Sequence, residues 1–222
     1  VREALRDLLR CPGVRLGGEA WTDPERGILS TGWEALDALL PGGWPRGTLT
    51  EIVVPREGTG EVRLLLPVLA RLGRQGRWLA WIDPPYLPYA PALAAAGLAL
   101  SRVLVIRAGA ERDRLWAAVQ CLRSGACGAV LAWPCRPRDD DLRRLRLAAG
   151  EGDALGVLFR RGEEGDSGGW GALRLRVVPS RRGVAVELLR GGAGSGKRAE
   201  IPLFGEEAGA PEELSLSREA RA

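Results

Sequence analysis

At 222 residues, 45% of them apolar, the chain is long enough to bury one substantial core and is expected to form one domain with a tail. No stretch approaches the roughly 18 uncharged apolar residues that span a bilayer, which excludes a transmembrane helix, and Val1 to Asp7 lacks the apolar core of a signal peptide. The expected compartment is the cytoplasm, with association with the nucleoid open. A net charge of +4 permits a nucleic-acid partner without demanding one, and the absence of histidine beside four cysteines (Cys11, Cys121, Cys127, Cys135) without CxxC spacing leaves little for a zinc site or Cys/His catalysis.

In chain order, residues 2 to 10 carry Leu5, Leu8 and Leu9 on one face of a short amphipathic helix that ends at Pro12-Gly13. A loop leads to a second short helix, for which Ser30 or Thr31 is the expected cap and Leu36, Leu39 and Leu40 the apolar face. Pro41 to Gly47 then breaks the chain. From Thr48 strands and helices alternate. Strands are expected at 49 to 54, 78 to 83, 103 to 107, 129 to 133 and 155 to 159, with helices at 61 to 74, 88 to 97, 111 to 124 and 139 to 149, the last with Leu142, Leu145 and Leu147 facing inward and Arg143, Arg144 and Arg146 on a solvated face. That alternation is the pattern of an α/β fold, a mostly parallel sheet flanked by helices. Two last strands, 173 to 178 and 184 to 189, flank Pro179-Ser180-Arg181-Arg182-Gly183 and read as a C-terminal antiparallel hairpin. The expected organisation is an N-terminal helix and linker over 1–27, a core over 28–190, and a disordered tail over 191–222.

A Gly-rich turn, Pro55 to Val62, follows the first core strand where a phosphate-binding loop belongs. Such a loop runs Gly, four residues, Gly-Lys-Ser/Thr, so that backbone N–H groups cradle the phosphates, the lysine neutralises them and the hydroxyl holds magnesium. Here Pro55 stands for the first glycine, Glu61 for the lysine and Val62 for the hydroxyl, while Gly58 and Gly60 keep the turn. A carboxylate about 4 Å from a phosphate oxygen costs on the order of 4 kcal/mol at an effective dielectric near 20. The turn geometry is expected to persist and phosphate binding to be lost. A second Gly-rich run, Gly191 to Lys197, matches most of the pattern but leads to Arg198 and Pro202 rather than to a hydroxyl and a helix, and reads as a linker.

Leu29-Ser30-Thr31-Gly32, Leu36-Asp37, Gly42-Gly43, Gly47 and Glu51-Ile52 resemble the entrance to the core of RecA recombinases. Within that group Leu49-Thr50-Glu51-Ile52, Arg77 to Ile82, Pro85 to Leu93 and Leu115 to Ala118 resemble the ImuA family of translesion-synthesis accessory proteins. The RecA resemblance implies a RecA-like core. It also implies two further ATP-handling positions, and both are altered: Asp83 is followed by Pro84-Pro85 where an acid activates water, and Trp133-Pro134 stands where a Walker B aspartate orients magnesium. The expectation is a pseudo-ATPase with no cofactor, no metal and no catalytic residues.

The ImuA resemblance implies a non-catalytic role in SOS-induced, error-prone translesion synthesis after DNA damage. Its implied partners are ImuB, RecA and an error-prone DnaE-type polymerase, with DNA reached directly or through them and no membrane. The loops that contact DNA in RecA correspond to about 134–141 and 160–171, the second including Trp170. The candidate contact residues are Arg160 and Arg161, with Arg174 and Arg176 on one face of the terminal hairpin and Arg181 and Arg182 at its tip. A charged, protected sheet edge explains the same arginines. The alternative is a SulA-type cell division inhibitor that binds FtsZ, since that group too resembles RecA without its ATPase residues.

Overall fold

The computed structural model describes residues 27–40, 42–135, 137–162, 172–191 and 195–203. The expected helix at 2 to 10 lies outside them. Strands β1 (Ile28–Leu29) and β2 (Trp44–Pro45) pair antiparallel and enclose helix α1 (Glu34–Leu39). Neither Ser30 nor Thr31 caps that helix. Both bind its Asp37 instead: Ser30 Oγ donates to Oδ2 at 2.7 Å and the Thr31 N–H to Oδ1 at 2.6 Å, which ties the entering chain across the first turn and a half.

Strand β3 (Thr48–Val54) is buried at every residue, as befits a strand with neighbours on both edges and layers on both faces. The chain continues through helix α2 (Leu66–Arg74), β4 (Trp78–Ile82), α3 (Ala90–Ala95), β5 (Val103–Ile106), α4 (Glu111–Arg123), β6 (Cys127–Ala132), α5 (Asp139–Gly152), β7 (Leu155–Arg161), β8 (Leu173–Ser180), β9 (Gly183–Arg190) and β10 (Arg198–Pro202). The eight-stranded sheet runs β10-β9-β8-β3-β7-β6-β4-β5, parallel from β8 to β5 and antiparallel at β9 and β10. The architecture is therefore mixed α/β, a large mostly parallel sheet flanked by helices with antiparallel C-terminal strands.

One sheet face packs Ile52, Leu79, Leu131 and Leu175 against Leu36, Val68, Leu69 and Leu93 of α1, α2 and α3. The other packs Leu49, Ile82 and Val130 against Ala117, Ala118 and Leu122 of α4 and Leu142, Leu145 and Ala149 of α5. Small residues let α4 and α5 lie close: a Cβ on Gly152 would sit 1.9 Å from the Leu122 carbonyl oxygen.

Three expectations need correction. Part of the expected tail is ordered, because Arg198–Pro202 forms β10 on the edge of β9, with Ile201 and Leu203 buried, while 204–222 lies outside the described residues. The expected helix at 61 to 74 begins only at Leu66, after a 3-10 turn at Arg63–Leu65, and carries Pro67 in its first turn, where a missing N–H is tolerated. Leu147 was expected to face inward with Leu142 and Leu145, yet it is 59% exposed, since the helical stripe runs 142, 145, 148, 149 and leaves 147 on the far side.

Candidate functional site

The Gly-rich turn leaves the C-terminal end of β3 in the middle of the sheet, the place where a phosphate loop would present its N–H groups. Gly58 and Gly60 adopt φ of +80° and +106°, values that favour glycine. Thr59 Oγ1 donates to the Arg56 carbonyl at 2.8 Å and closes the turn. Glu61, 4% exposed, folds back so that Oε1 accepts the Gly58 N–H at 3.1 Å. A carboxylate of the chain itself thus takes the N–H that a phosphate oxygen would need. Pro55 is exposed at the start of the turn and Val62 half-buried at its end.

The two other positions that the resemblance singles out also make internal contacts. Trp133, just after β6, stacks on Phe159 of β7 with ring centres 4.6 Å apart and planes 14° apart, and stands 6.0 Å from Trp81 of β4. Asp83, just after β4, adopts φ +48° and turns its carboxylate sideways: Oδ2 accepts from Arg114 Nε at 2.8 Å and Oδ1 from the Ala108 N–H at 3.2 Å. Arg114 also bonds Glu111 at 2.8 Å, whose Oε1 accepts the Cys135 N–H at 3.0 Å. One polar network therefore joins the ends of β4 and β6 to the first turn of α4. Arg107 donates to the Pro84 carbonyl and fixes the next step of the chain.

From that anchor the chain projects Tyr86, Leu87 and Tyr89, exposed by 68%, 78% and 71%. Tyr86 and Leu87 border a cleft of about 300 Å³, walled by Trp81, Pro84, Pro85 and Trp133 and floored by the Gly-rich turn from Glu57 to Arg63. An exposed apolar patch beside an open cleft suits a macromolecular partner better than a solvated surface does. Among the described residues no group of three or more His, Cys, Asp or Glu is arranged to hold a metal, and no helix is long and apolar enough to cross a membrane.

The six candidate arginines do not form one exposed surface. Arg174 and Arg176 share a sheet face, but Arg174 is 7% exposed, in register with the fully buried Glu51, and Arg176 pairs with Glu187 at 3.3 Å. Arg160 Nη1 bonds Glu51 Oε2 at 3.2 Å. Arg161 is exposed, 3.6 Å from Glu57, and Arg181 and Arg182 are exposed at the β8–β9 turn. Trp170 lies outside the described residues. Lys197 leads directly into β10, a strand where a phosphate loop requires a helix. The exposed apolar loop at Tyr86 to Tyr89 is the feature that reading for catalytic chemistry passed over, though the run of aromatic and apolar residues between prolines was visible in the chain.

Residues 47–156 match the family model described as "Cell division inhibitor SulA". Over 114 residues, 51% of this chain and 68% of each relative, the sequence is 33% identical to the cell division inhibitor SulA of Yersinia enterocolitica and to that of Yersinia pestis. The crystal structure of SulA from Pseudomonas aeruginosa aligns with 51% of this chain and 98% of its own, at 28% identity and a TM-score of 0.43. The family-model match and the sequence relatives overturn the expectation of an ImuA-type translesion-synthesis factor with ImuB, RecA and a polymerase as partners, and favour its alternative. The matched span, 47–156, contains all the phrases that suggested ImuA; such phrases encode the strands, turns and helices of the core, and a core is shared across functions.

Proposed function

We propose, because this chain belongs to the SulA family of cell division inhibitors, that it halts division in the cytoplasm by binding FtsZ through the cleft and the loop at Pro84 to Tyr89. The observation that carries this reading is the rigid presentation of Tyr86, Leu87 and Tyr89. Three large exposed side chains would be a liability on an unpartnered surface, and here Asp83, Arg107 and Arg114 hold them in place beside an apolar cleft. Preorganised aromatic anchors lose little entropy on binding. Of the candidate arginines, Arg161, Arg181 and Arg182 keep their charged heads at the surface and are available to a partner's rim.

The core is best read as RecA-like, one folded unit over about 27–203 whose nucleotide chemistry has been replaced by structure. The support is the strand–turn–helix unit at the centre of the sheet, with Glu61, Asp83 and Trp133 each engaged in internal contacts at the three positions that would serve ATP. Inhibition then requires binding alone.

The test is FtsZ assembly followed by sedimentation and light scattering with the purified chain, together with cell length on expression. Inhibition of assembly and filamentous cells are expected, and both should be lost with Tyr86→Ala plus Leu87→Ala. A chain that leaves FtsZ assembly and cell length unchanged removes the proposal. Isothermal titration with ATP should give no heat of binding, and Glu61→Lys alone should not restore turnover.

A further inference from the structure

We infer that the cleft is a receptor for a cationic side chain, an arginine presented by the protein partner. The inference rests on the partner reading above only for who supplies that arginine; the chemistry is set by the cleft. Its walls are the indoles of Trp81 and Trp133, 6.0 Å apart, with Pro84 and Pro85. Trp133 is immobilised by its stack on Phe159. Under this apolar lining sits the carboxylate of Glu61. Its Oε1 accepts the Gly58 N–H, whereas Oε2 is buried without a hydrogen-bond partner among the described residues.

An unpaired carboxylate oxygen shielded from water projects an attractive field for positive charge through low-dielectric material. The charged lining is Glu57, Glu61 and Arg63, and Glu57 lies 3.6 Å from Arg161, so the carboxylate oxygen without a partner beneath the cleft is that of Glu61. An anion would be repelled by it, and a purely apolar guest would leave the Glu61 charge uncompensated. Arginine meets both demands: its aliphatic stem covers indole and proline surface, and its flat, weakly hydrated guanidinium stacks on an indole face while facing the carboxylate. A lysine ammonium gives up a tighter hydration shell for the same site. The substitution of Glu61 for a phosphate-loop lysine thus reverses the charge preference of the pocket, from anion to cation.

The test titrates the chain with butylguanidinium and with its neutral isostere butylurea, following the indole N–H signals of Trp81 and Trp133 by NMR. Butylguanidinium is expected to move both signals and to bind at least tenfold more tightly than butylurea. Glu61→Gln, which keeps a carbonyl for the Gly58 N–H, should erase that difference. Equal binding of the two probes, or selectivity that survives Glu61→Gln, overturns the inference. Should Glu61→Gln fail to fold, the contrast between the two probes on the unaltered chain decides. A chain that blocks FtsZ assembly but does not distinguish the probes sinks the arginine receptor and leaves the partner reading intact. One that selects butylguanidinium yet ignores FtsZ upholds the receptor and removes that partner.

Discussion

Asp83 and Arg114 meet at 2.8 Å across the gap between the end of β4 and the first turn of α4, and this contact holds Asp83 at φ +48°, in a region that side-chain-bearing residues rarely occupy. The strain points the following chain outward, so that Pro84 and Pro85 line the cleft and Tyr86, Leu87 and Tyr89 stand in solvent. Both partners are largely shielded, with side-chain exposures of 17% and 12%, so the bond is worth more than a surface pair.

Arg114→Leu should therefore lower stability by about 2 kcal/mol, the scale for losing hydrogen bonds to a charged group. It should also weaken partner binding, because the loop loses its anchor. Asp83→Ala should cost more than Asp83→Asn, since asparagine keeps an acceptor and tolerates positive φ. Urea denaturation of the three variants checks the order.

Tyr86→Ala and Leu87→Ala should each leave stability within about 0.5 kcal/mol, as expected for surface positions that touch little of the core. Their effect on partner binding should be at least about tenfold, or 1.4 kcal/mol, if they act as anchors. Equal thermal midpoints combined with unequal binding would separate contact from folding.

Glu51 is completely buried in β3 and ion-paired with Arg160 at 3.2 Å. Glu51→Ala removes a charge-assisted hydrogen bond to Arg160, which is itself partly exposed, so it should destabilise the chain by about 1.5–3 kcal/mol. Replacing both residues with apolar ones of similar volume should recover much of that loss. A denaturant series on the single and double variants tests the coupling.

Cys121 and Cys127 titrate as a pair. The Cys121 S–H donates to the Cys127 thiolate, and this outweighs burial and holds Cys127 down to about 7 from an ordinary value of 9.0, with Ser124 and Arg77 assisting. The same bond, with burial, pushes Cys121 well above the thiol range. The folded chain therefore releases its first thiol proton near pH 7, while the unfolded chain still holds both. Stability should rise between about pH 7 and 9 and fall above 9, where the unfolded state releases two protons to the folded state's one. Cys121→Ala should return the Cys127 titration toward 9.0, read by thiolate absorbance near 240 nm.

Gly60→Ala should cost about 1–3 kcal/mol from its positive φ alone. The new Cβ would also approach Leu203 Cδ1 to 2.7 Å, so the end of the described chain must shift with it. Hydrogen exchange in β10 should rise in this variant.

Much of the architecture was legible in the sequence because strands buried on both faces read as continuous apolar runs: 49 to 54, 78 to 83 and 129 to 133 correspond to β3, β4 and β6 within one or two residues. β10 was not legible. Arg198 to Pro202 is short, mixed in polarity and preceded by glycines, and it is a strand only because β9 offers it an edge. The arginine cluster misled for a related reason: strand alternation puts Arg174 and Arg176 on one face, but the register sets Arg174 beside the buried Glu51 and Arg176 opposite Glu187, with which it is ion-paired.

The sequence by itself determined the alternating α/β order, the Gly-rich turn after the first core strand, and the absence of a lysine and a hydroxyl from that turn, because each depends on local residue type and spacing. Only the tertiary structure decided which contacts form at the strand ends. Glu61 closing on Gly58, Trp133 stacking on Phe159 and Asp83 turning to Arg114 are contacts set by how the strand ends converge across the sheet, and that convergence makes an apolar cleft with a buried carboxylate beneath it.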